Sequence, residues 1–292
     1  MKSIFTRVCL TGLLTLLLAA CGQAPDDQLS QEVQRTAETH AGDVPDPTPI
    51  ASEPPVTEVI TSRIAYGEID DQNLHGYLSM PADATGSLPG LIVIHEWWGL
   101  NDNIKATAER LAAEGYVTLA VDLYNGEIAT TGKQAIKQVE NLNANSEAAL
   151  SNLDQAYQYL TGAAKAQKVG VVGWCMGGKW SLQTALLLPD DIDAMVMYYG
   201  NVETDQDKLA TLNMPILGIF AGNDPIVSRE SVEAFRKGLT DLGKRANIYV
   251  YEDAEHAFAN PSGTQYNEVA AEDAWDKTIE FLARSLVVDR GF

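Results

Sequence analysis

Cysteine and histidine are scarce in this chain. Its 292 residues include four histidines and three cysteines, Cys9, Cys21 and Cys175. So few cysteines exclude a disulfide-rich scaffold. Three of the histidines, His40, His75 and His95, are too scattered along the sequence to predict a zinc site. The sequence therefore predicts neither a metal nor a cofactor.

Basic residues are also in short supply. The chain has 20 Lys and Arg against 40 Asp and Glu, which gives a net charge of −20. Removal of residues 1–20, which hold Lys2 and Arg7 and no acid, would lower the net charge to −22. Such a charge argues against binding to nucleic acid or to anionic lipid surfaces, because both repel a negative protein. A strongly negative net charge is instead consistent with an exported domain that has to stay in solution.

Val8 to Leu18 is an apolar run too short to span a bilayer well, and it follows the basic segment Met1–Arg7. The next residues, Leu18-Ala19-Ala20-Cys21-Gly22, resemble the lipobox of a bacterial lipoprotein. That resemblance implies cleavage before Cys21, lipid on Cys21 and, from Gly22, sorting to an outer membrane on its periplasmic side. The alternative is an ordinary secretory signal cut nearby, with Cys21 left as a free thiol.

Composition divides the chain into three regions. Residues 1–20 are predicted to be a lipoprotein signal peptide, residues 21–55 a disordered acidic tether, and residues 56–292 one catalytic domain. The tether is rich in Asp, Glu, Pro, Ser, Thr and Gln and poor in large apolar residues. The remaining length is enough to bury a sizeable core.

Short apolar strands alternate with helical patterns throughout the third region. The predicted strands are Val56–Tyr66, Leu74–Met80, Leu91–Ile94, Val117–Val121, Val169–Val172, Ala194–Tyr199, Ile216–Phe220 and Ile248–Tyr251, the first two forming an antiparallel pair. The predicted helices are Asn103–Ala113, Lys133–Leu160 with a break near Asn143, Lys179–Leu187, Arg229–Leu242 and Val269–Leu286. This alternation predicts an α/β fold, with a mostly parallel sheet covered by helices on both faces.

The segment Gly173–Gly178, Gly-Trp-Cys-Met-Gly-Gly, lies between a predicted strand and a predicted helix. It has the shape of the G-x-S-x-G nucleophile elbow, with Cys175 in place of serine. The flanking glycines are needed because side chains there would collide with the neighbouring strand and helix. Taken alone, the motif is equally consistent with a glycine-rich turn around an inert, buried cysteine.

An acid and a histidine follow the cysteine in the order typical of α/β-hydrolases. Asp224 lies in the turn after the strand Ile216–Phe220, and His256 lies beyond the strand Ile248–Tyr251. Each residue alone has an ordinary explanation, a turn former before a proline and an unremarkable histidine. Because ligands bind at the carboxyl ends of the strands in open α/β sheets, the three together predict a Cys-His-Asp triad.

From Val56 to the C-terminus the chain resembles the dienelactone hydrolase family of α/β-hydrolases. The resemblance is carried by His95-Glu96-Trp97-Trp98-Gly99, Asp122-Leu123-Tyr124, Gly173–Gly178, Gly222-Asn223-Asp224-Pro225 and Glu255-His256-Ala257-Phe258. It implies hydrolysis of ester or lactone carbonyls by Cys175, Asp224 and His256. It also implies that Glu96 holds or accepts the thiol proton, and that the backbone amides of Trp97 and Met176 form the oxyanion hole.

The resulting mechanism is acyl transfer. His256 helps to form the Cys175 thiolate, and Asp224 orients the imidazole and stabilises its charged form. The thiolate attacks the carbonyl to give an acyl-enzyme, and water activated by His256 releases the acid. The expected partner is a small-molecule ester or lactone, and the expected state is a monomer.

The family's well-known members bind an anionic lactone through two arginines. The matching positions here are Gly126 and Asn260, and a carboxylated substrate would lose two charge-assisted contacts worth about 1.5–3 kcal/mol each. We therefore expect neutral esters to be better substrates. The aromatic residues that we expect to line an apolar pocket, although some could simply pack the core, are Trp98, Tyr124, Trp174 and Phe258, beside Trp97.

Two other functions remain compatible with the sequence. The same scaffold could act as a thioesterase or peptidase on cell-envelope material, or it could be a surface lipoprotein that binds and no longer catalyses. The intact set of Cys175, Asp224 and His256 argues against the second possibility.

Overall fold

The computed structural model describes residues 34–49 and 53–286. The predicted signal peptide and the lipidation candidate Cys21 lie outside these residues. The boundaries of the three predicted regions therefore stay predictions. None of the helices among the described residues is both long enough and apolar enough to cross a membrane.

A single eight-stranded sheet organises the domain, with strand order β1-β2-β4-β3-β5-β6-β7-β8. Only the two pairings of β2, with β1 and with β4, are antiparallel; the other neighbours are parallel. This confirms the predicted α/β fold and its antiparallel opening pair. The strands are β1 Val59–Ile69, β2 Gln72–Pro81, β3 Gly90–Ile94, β4 Val117–Val121, β5 Val169–Trp174, β6 Ala194–Tyr198, β7 Ile216–Asn223 and β8 Ala246–Glu255.

The inner strands are apolar along their whole length because helices pack on the sheet. Every residue of β3, β4, β5 and β6 is buried. The helices are α1 Asp102–Ala113, α2 Gly132–Ala144, α3 Ser146–Gly162, α4 Met176–Leu187, α5 Gln206–Thr211, α6 Arg229–Asp241 and α7 Glu268–Leu286. The break predicted near Asn143 falls at Asn145, between α2 and α3.

One short helix, α5, was not predicted from the sequence. Its six residues contain one fully buried apolar side chain, Leu209, which is too little for a helical period to stand out. The local signal was Asp205, whose carboxylate accepts hydrogen bonds from the backbone amides of Asp207 and Lys208 and so begins the helix.

Residues 34–49, which we call the strap, belong to the predicted tether but pack against the domain. Residues 34–39 are helical. Asp43 Oδ1 accepts hydrogen bonds from the backbone amide and the hydroxyl of Thr264, at 2.6 and 2.7 Å. Thr48 donates through its amide and its hydroxyl to Asn103 Oδ1, at 3.1 Å each. This part of the chain is therefore an ordered cover over one edge of the sheet.

Candidate active site

Four of the predicted functional residues directly follow parallel strands. Glu96 comes shortly after β3, Cys175 follows β5, Asp224 follows β7 and His256 follows β8. Parallel strands end at the same edge of the sheet, so their carboxyl ends bring side chains from distant parts of the sequence together. The side chains of Glu96, Cys175 and His256 are all buried.

Cys175 has the strained backbone of a nucleophile elbow. Its φ is +55° and its ψ is −119°, a conformation that residues with a Cβ rarely adopt. The chain can turn this sharply because the glycines around it let backbones approach. A Cβ on Gly177 would lie 2.4 Å from the carbonyl oxygen of Ile94, and one on Gly173 would lie 2.3 Å from the carbonyl oxygen of Gly177. The steric reason given for the glycines in the sequence analysis is thus visible.

A chain of hydrogen bonds joins the three residues proposed as a triad. His256 Nε2 lies 3.2 Å from Cys175 Sγ, and His256 Nδ1 lies 2.8 Å from Asp224 Oδ2. Asp224 Oδ1 accepts from the backbone amides of Ile226 and Val227, at 2.8 and 2.9 Å. The carboxylate is therefore held in place, and it fixes the imidazole so that Nε2 faces the sulfur.

The charges at this site favour an ion pair between the thiol and the imidazole. Burial alone would raise the pKa of Cys175, but the charge of His256, its hydrogen bond to the sulfur and the nearby His40 lower it to about 6. Burial alone would lower the pKa of His256, but the nearby thiolate and the Asp224 carboxylate raise it to about 10. At neutral pH the sulfur is therefore a thiolate beside an imidazolium.

Glu96 is an uncharged acid in this environment. Burial, together with the nearby thiolate of Cys175, raises its pKa to about 8. Asn260 Nδ2 donates to Glu96 Oε2 at 2.8 Å, and the hydroxyl of Tyr199 lies 3.5 Å from Oε1. A protonated carboxyl group adds no second negative charge beside the thiolate.

The backbone amides predicted for the oxyanion hole lie at two element ends. Met176 is the first residue of α4, so its N–H has no acceptor within the helix and points out of the helix start. Trp97 lies in the turn that begins after β3. Both residues adjoin a functional candidate, Met176 next to Cys175 and Trp97 next to Glu96.

The aromatic residues predicted to line a pocket are all buried, and each packs on another part of the site. Trp98 packs on Trp97, Tyr124 donates its hydroxyl to Met176 Sδ at 3.1 Å, and Trp174 packs on Tyr198. Phe258 contacts Tyr199 edge-on, with ring centroids 5.5 Å apart. Of the four, Tyr124 lies near enough to Cys175 for an electrostatic interaction, whereas Trp98 belongs with Trp97, Ala129 and Ala135 to a separate apolar cluster.

The two positions at which the family has arginines differ in environment. Gly126 is exposed, and its backbone amide donates to Asp122 Oδ2 at 2.5 Å. Asn260 is buried and holds Glu96, while its Oδ1 accepts from the amide and the hydroxyl of Ser262. Asn260 is therefore part of the site, although the sequence analysis regarded it only as a missing arginine.

His40 was not predicted to lie at the site, because it was considered only with His75 and His95, as three histidines too scattered for a zinc site. A nitrogen of His40, Cys175 Sγ and a nitrogen of His256 lie within 4.8 Å of one another. These three atoms are the ones at this site that could hold a soft metal ion. No local sequence pattern predicted this contact, because His40 lies in an acidic, proline-rich segment near the start of the sequence, far from Cys175 and His256 along the chain.

Tyr199 and Thr264 were also missed. Tyr199 has a φ of +35°, and its ring contacts His256 edge-on at 5.1 Å between centroids. Thr264 anchors Asp43 of the strap. A tyrosine directly after a core strand was the only sequence signal for the first, and nothing in the sequence pointed to the second.

Comparison with known proteins agrees with the resemblance seen in the sequence. The model of the dienelactone hydrolase family matches residues 74–286. "Protein usf" of Aquifex pyrophilus is 33% identical over 73% of this chain and 94% of its own length. "Putative carboxymethylenebutenolidase" of Saccharolobus solfataricus is 31% identical over 75% of this chain and 97% of its own length.

Solved structures agree with the fold. A crystal structure from Klebsiella pneumoniae, described as a "Putative Dienelactone Hydrolase", superposes with a TM-score of 0.70 at 26% identity, covering 78% of this chain and all of that one. The matched part of the family model begins within β2, so the strap lies outside it.

Proposed function

This chain belongs to the dienelactone hydrolase family, and we propose that it hydrolyses carboxylic esters or lactones through a thioester on Cys175. The observation that carries the proposal is the hydrogen-bonded series from Asp224 through His256 to the sulfur of a strained Cys175. A thiol held this way is ionised near neutral pH, and its sulfur points away from the turn, where a substrate carbonyl can reach it.

The proposed reaction has two halves. The thiolate of Cys175 attacks the carbonyl carbon, and the negative charge that develops on the carbonyl oxygen is stabilised by the amides of Met176 and Trp97. The bond between the carbonyl carbon and the alcohol oxygen breaks, the alcohol leaves with a proton from an imidazolium beside the sulfur, and the acyl group stays on sulfur. Water, activated by His256, then attacks the thioester, the acid departs, and the thiolate re-forms beside the imidazolium.

Glu96 supports the thiolate as an uncharged acid. With its pKa raised to about 8, it holds a proton of its own at neutral pH, in addition to the proton on His256. Its anchor is the amide of Asn260, and the charges of His40 and His256 lower its pKa by less than burial and the thiolate raise it. Cys175 therefore stays reactive without a second negative charge beside it.

We propose neutral rather than anionic substrates. The side chain of Asn260 is already hydrogen-bonded to Glu96 and Ser262, and Gly126 has no side chain. Neither position therefore provides a positive charge to bind a substrate carboxylate. Tyr124 beside the thiol and the other buried aromatic side chains suit an apolar acyl or alcohol group.

Replacement of the nucleophile tests the proposal. Cys175→Ala should abolish turnover of para-nitrophenyl butyrate, and mass spectrometry of the wild type quenched in acid should show one butyryl group on the Cys175 peptide. Cys21→Ala, which removes a thiol outside the domain, serves as the matched control and should hydrolyse the ester at the wild-type rate. Unchanged turnover by Cys175→Ala would defeat the proposal.

We also propose that the protein is a lipid-anchored component of the bacterial cell envelope. The support is the sequence Leu18-Ala19-Ala20-Cys21-Gly22 after a short apolar run, together with a net charge that would keep the domain itself away from anionic lipid. Cells fed radiolabelled palmitate should incorporate label into the wild type and not into Cys21→Ala. An unlabelled wild type would refute the anchor.

A further inference from the structure

The strap brings a second histidine to the candidate active site. His40 is 4% exposed, its ring centroid lies 4.5 Å from that of Trp97, and its edge meets the ring of His256 at 5.5 Å between centroids. This burial is unusual for a histidine in an acidic, proline-rich segment. The strap precedes the residues that the family model matches, so His40 is an addition to the set of residues that the resemblance supplies.

His40 and Asp43 repeat the arrangement of His256 and Asp224. His40 Nδ1 lies 2.7 Å from Asp43 Oδ2, and His256 Nδ1 lies 2.8 Å from Asp224 Oδ2. In both pairs the other carboxylate oxygen accepts two further hydrogen bonds, for Asp43 from Thr264 and for Asp224 from two backbone amides. Each imidazole is thereby fixed with its Nε2 free to face another group.

The Nε2 atom of His40 has no hydrogen-bond partner among the described residues, although it is buried. A buried donor without an acceptor is costly, so such atoms call for an explanation. The explanation is its place at the candidate active site, because a nitrogen of His40 lies within 4.8 Å of both Cys175 Sγ and a nitrogen of His256. A substrate oxygen bound at the sulfur would come within reach of it.

His40 also carries a proton at neutral pH. Burial alone would lower its pKa, but the hydrogen bond to Asp43 and the nearby thiolate of Cys175 raise it to about 8. A group that titrates this close to the working pH gives up and regains a proton more readily than His256, whose pKa is raised to about 10.

Titratable groups face the thiol from several elements. They are His40 and Asp43 from the strap, Glu96 after β3, Tyr124 after β4, Tyr199 after β6, Asp224 after β7 and His256 after β8. Burial raises the pKa of both tyrosines well above the usual value, so they are poor acids. Both oxygens of Glu96 are engaged by Asn260 and Tyr199. His40 is left as the acid with a free donor.

On the basis of the ester hydrolysis proposed above, we propose that His40, oriented by Asp43, is a second catalytic histidine. It protonates the alcohol oxygen of the ester as that oxygen departs and Cys175 becomes acylated. As the bond between Sγ and the acyl carbon forms, the bond from that carbon to the alcohol oxygen breaks. The oxygen keeps the electron pair of the broken bond and takes the Nε2 proton of His40.

Hydrolysis returns the proton to the pair of imidazoles. After the alcohol has left, His40 and His256 share one proton, so the neutral one can accept a proton from the attacking water. The water oxygen bonds to the acyl carbon, and the sulfur leaves with the electron pair of the C–S bond. The products are the carboxylic acid, the thiolate of Cys175 and two protonated imidazoles, which is the starting state.

Two esters that differ in whether the leaving group needs a proton test the proposed role of His40. A para-nitrophenolate ion leaves without a proton, whereas an ethoxide ion needs one. His40→Gln should therefore lower kcat on ethyl butyrate by about 100-fold and on para-nitrophenyl butyrate by about 5-fold or less. Asp43→Asn, which keeps the size of the side chain, should show a smaller loss with the same selectivity. His75→Gln, on the outer part of the sheet in β2, is the matched control and should leave both rates unchanged.

Each outcome is decisive. Equal losses on the two esters would mean that His40 only holds the strap in place, and equal gains would mean that it only blocks the site; either result overturns the proposal. If the wild type cleaves neither ester, ester hydrolysis itself fails, and alkylation of Cys175 by iodoacetamide across pH, followed on its peptide, still tests His40. His40→Gln should raise the midpoint of that titration by about 0.5–1 pH unit, and an unchanged midpoint would overturn the contact.

Discussion

The side-chain amide of Asn260 donates to Glu96 Oε2 at 2.8 Å, across a separation of 164 positions in the chain. Asn260 stands where the family resemblance leads one to expect an arginine. A guanidinium at this place would hold Glu96 ionised, whereas an amide satisfies the carboxyl group without stabilising its charge. The loss of the arginine therefore changes two things together, the preference for substrate charge and the protonation of Glu96.

Glu96→Gln should make the protein more stable at slightly alkaline pH. The folded state raises the pKa of Glu96 from 4.5 to about 8, so the stabilising contribution of this group is complete below pH 4.5 and is lost as the pH rises towards 8. Glutamine keeps the shape and never ionises. The free energy of unfolding of the variant, relative to the wild type, should rise by about 3–4 kcal/mol between about pH 5 and about pH 8.

Urea unfolding at the two pH values measures this difference, and Glu68→Gln on the exposed face of β1 is the control. The control should differ from the wild type by the same small amount at both pH values. If Glu96→Gln behaves like the control, Glu96 is ionised in the folded protein and is not the uncharged acid proposed above.

Asp224→Asn should nearly abolish activity without unfolding the site. Asp224 Oδ1 is fixed by the amides of Ile226 and Val227, so the amide nitrogen of the variant must face His256 Nδ1. That reverses the hydrogen bond and leaves the proton on Nε2 of a neutral imidazole. We expect kcat on para-nitrophenyl butyrate to fall by about 10²–10⁴-fold.

The same substitution should also raise the pKa of Cys175 from about 6, because the positive charge that lowers it is lost. The pH dependence of alkylation of the Cys175 peptide reports this directly. A variant with full ester turnover, or with an unmoved alkylation profile, would show that Asp224 has no part in activating the thiol.

Gly177→Ala should destabilise the elbow. The new Cβ would lie 2.4 Å from the carbonyl oxygen of Ile94 and 2.6 Å from that of His95, which are backbone atoms that cannot move aside alone. We expect a loss of about 2–4 kcal/mol in the free energy of unfolding, as found for overpacked or strained sites, and loss of ester turnover. Thermal unfolding and para-nitrophenyl butyrate hydrolysis measure the two effects.

Gly162→Ala is the matched control for that prediction. Gly162 ends α3, is exposed, and has open space where a Cβ would be. Its variant should keep full activity and stay within about 1 kcal/mol of the wild type, or gain a little from the helix propensity of alanine. Similar losses in both variants would mean that the crowding at Gly177 is not the cause.

What the sequence could predict depended on local patterns. The strands Leu91–Ile94 and Val117–Val121 were found because fully buried strands read as continuous apolar runs. Cys175, Asp224 and His256 were found because each lies at a strand end and their order along the chain is distinctive. All these signals lie within a few neighbouring residues.

The rest depended on contacts between distant segments. His40 reaches Cys175 across more than a hundred positions, from a stretch whose composition is that of a solvated linker. The burial of this segment rests on a few specific anchors, Asp43 on Thr264 and Thr48 on Asn103, and not on an apolar periodicity. Composition indicates how much apolar surface a segment has to bury, but it does not predict specific polar contacts of this kind.

Substrate charge is the prediction that follows most directly from the departure at Asn260. A pair of esters with the same alcohol, one with a neutral acyl chain and one with a terminal carboxylate, should differ by about 10-fold or more in kcat/KM in favour of the neutral one. The reason is that a carboxylate entering this site loses hydration, meets the thiolate of Cys175, and finds no arginine at position 126 or 260. Gly162→Ala again serves as the control and should show the wild-type ratio. A ratio near one, or one that favours the carboxylated ester, would mean that another cation on this acidic protein recognises the substrate.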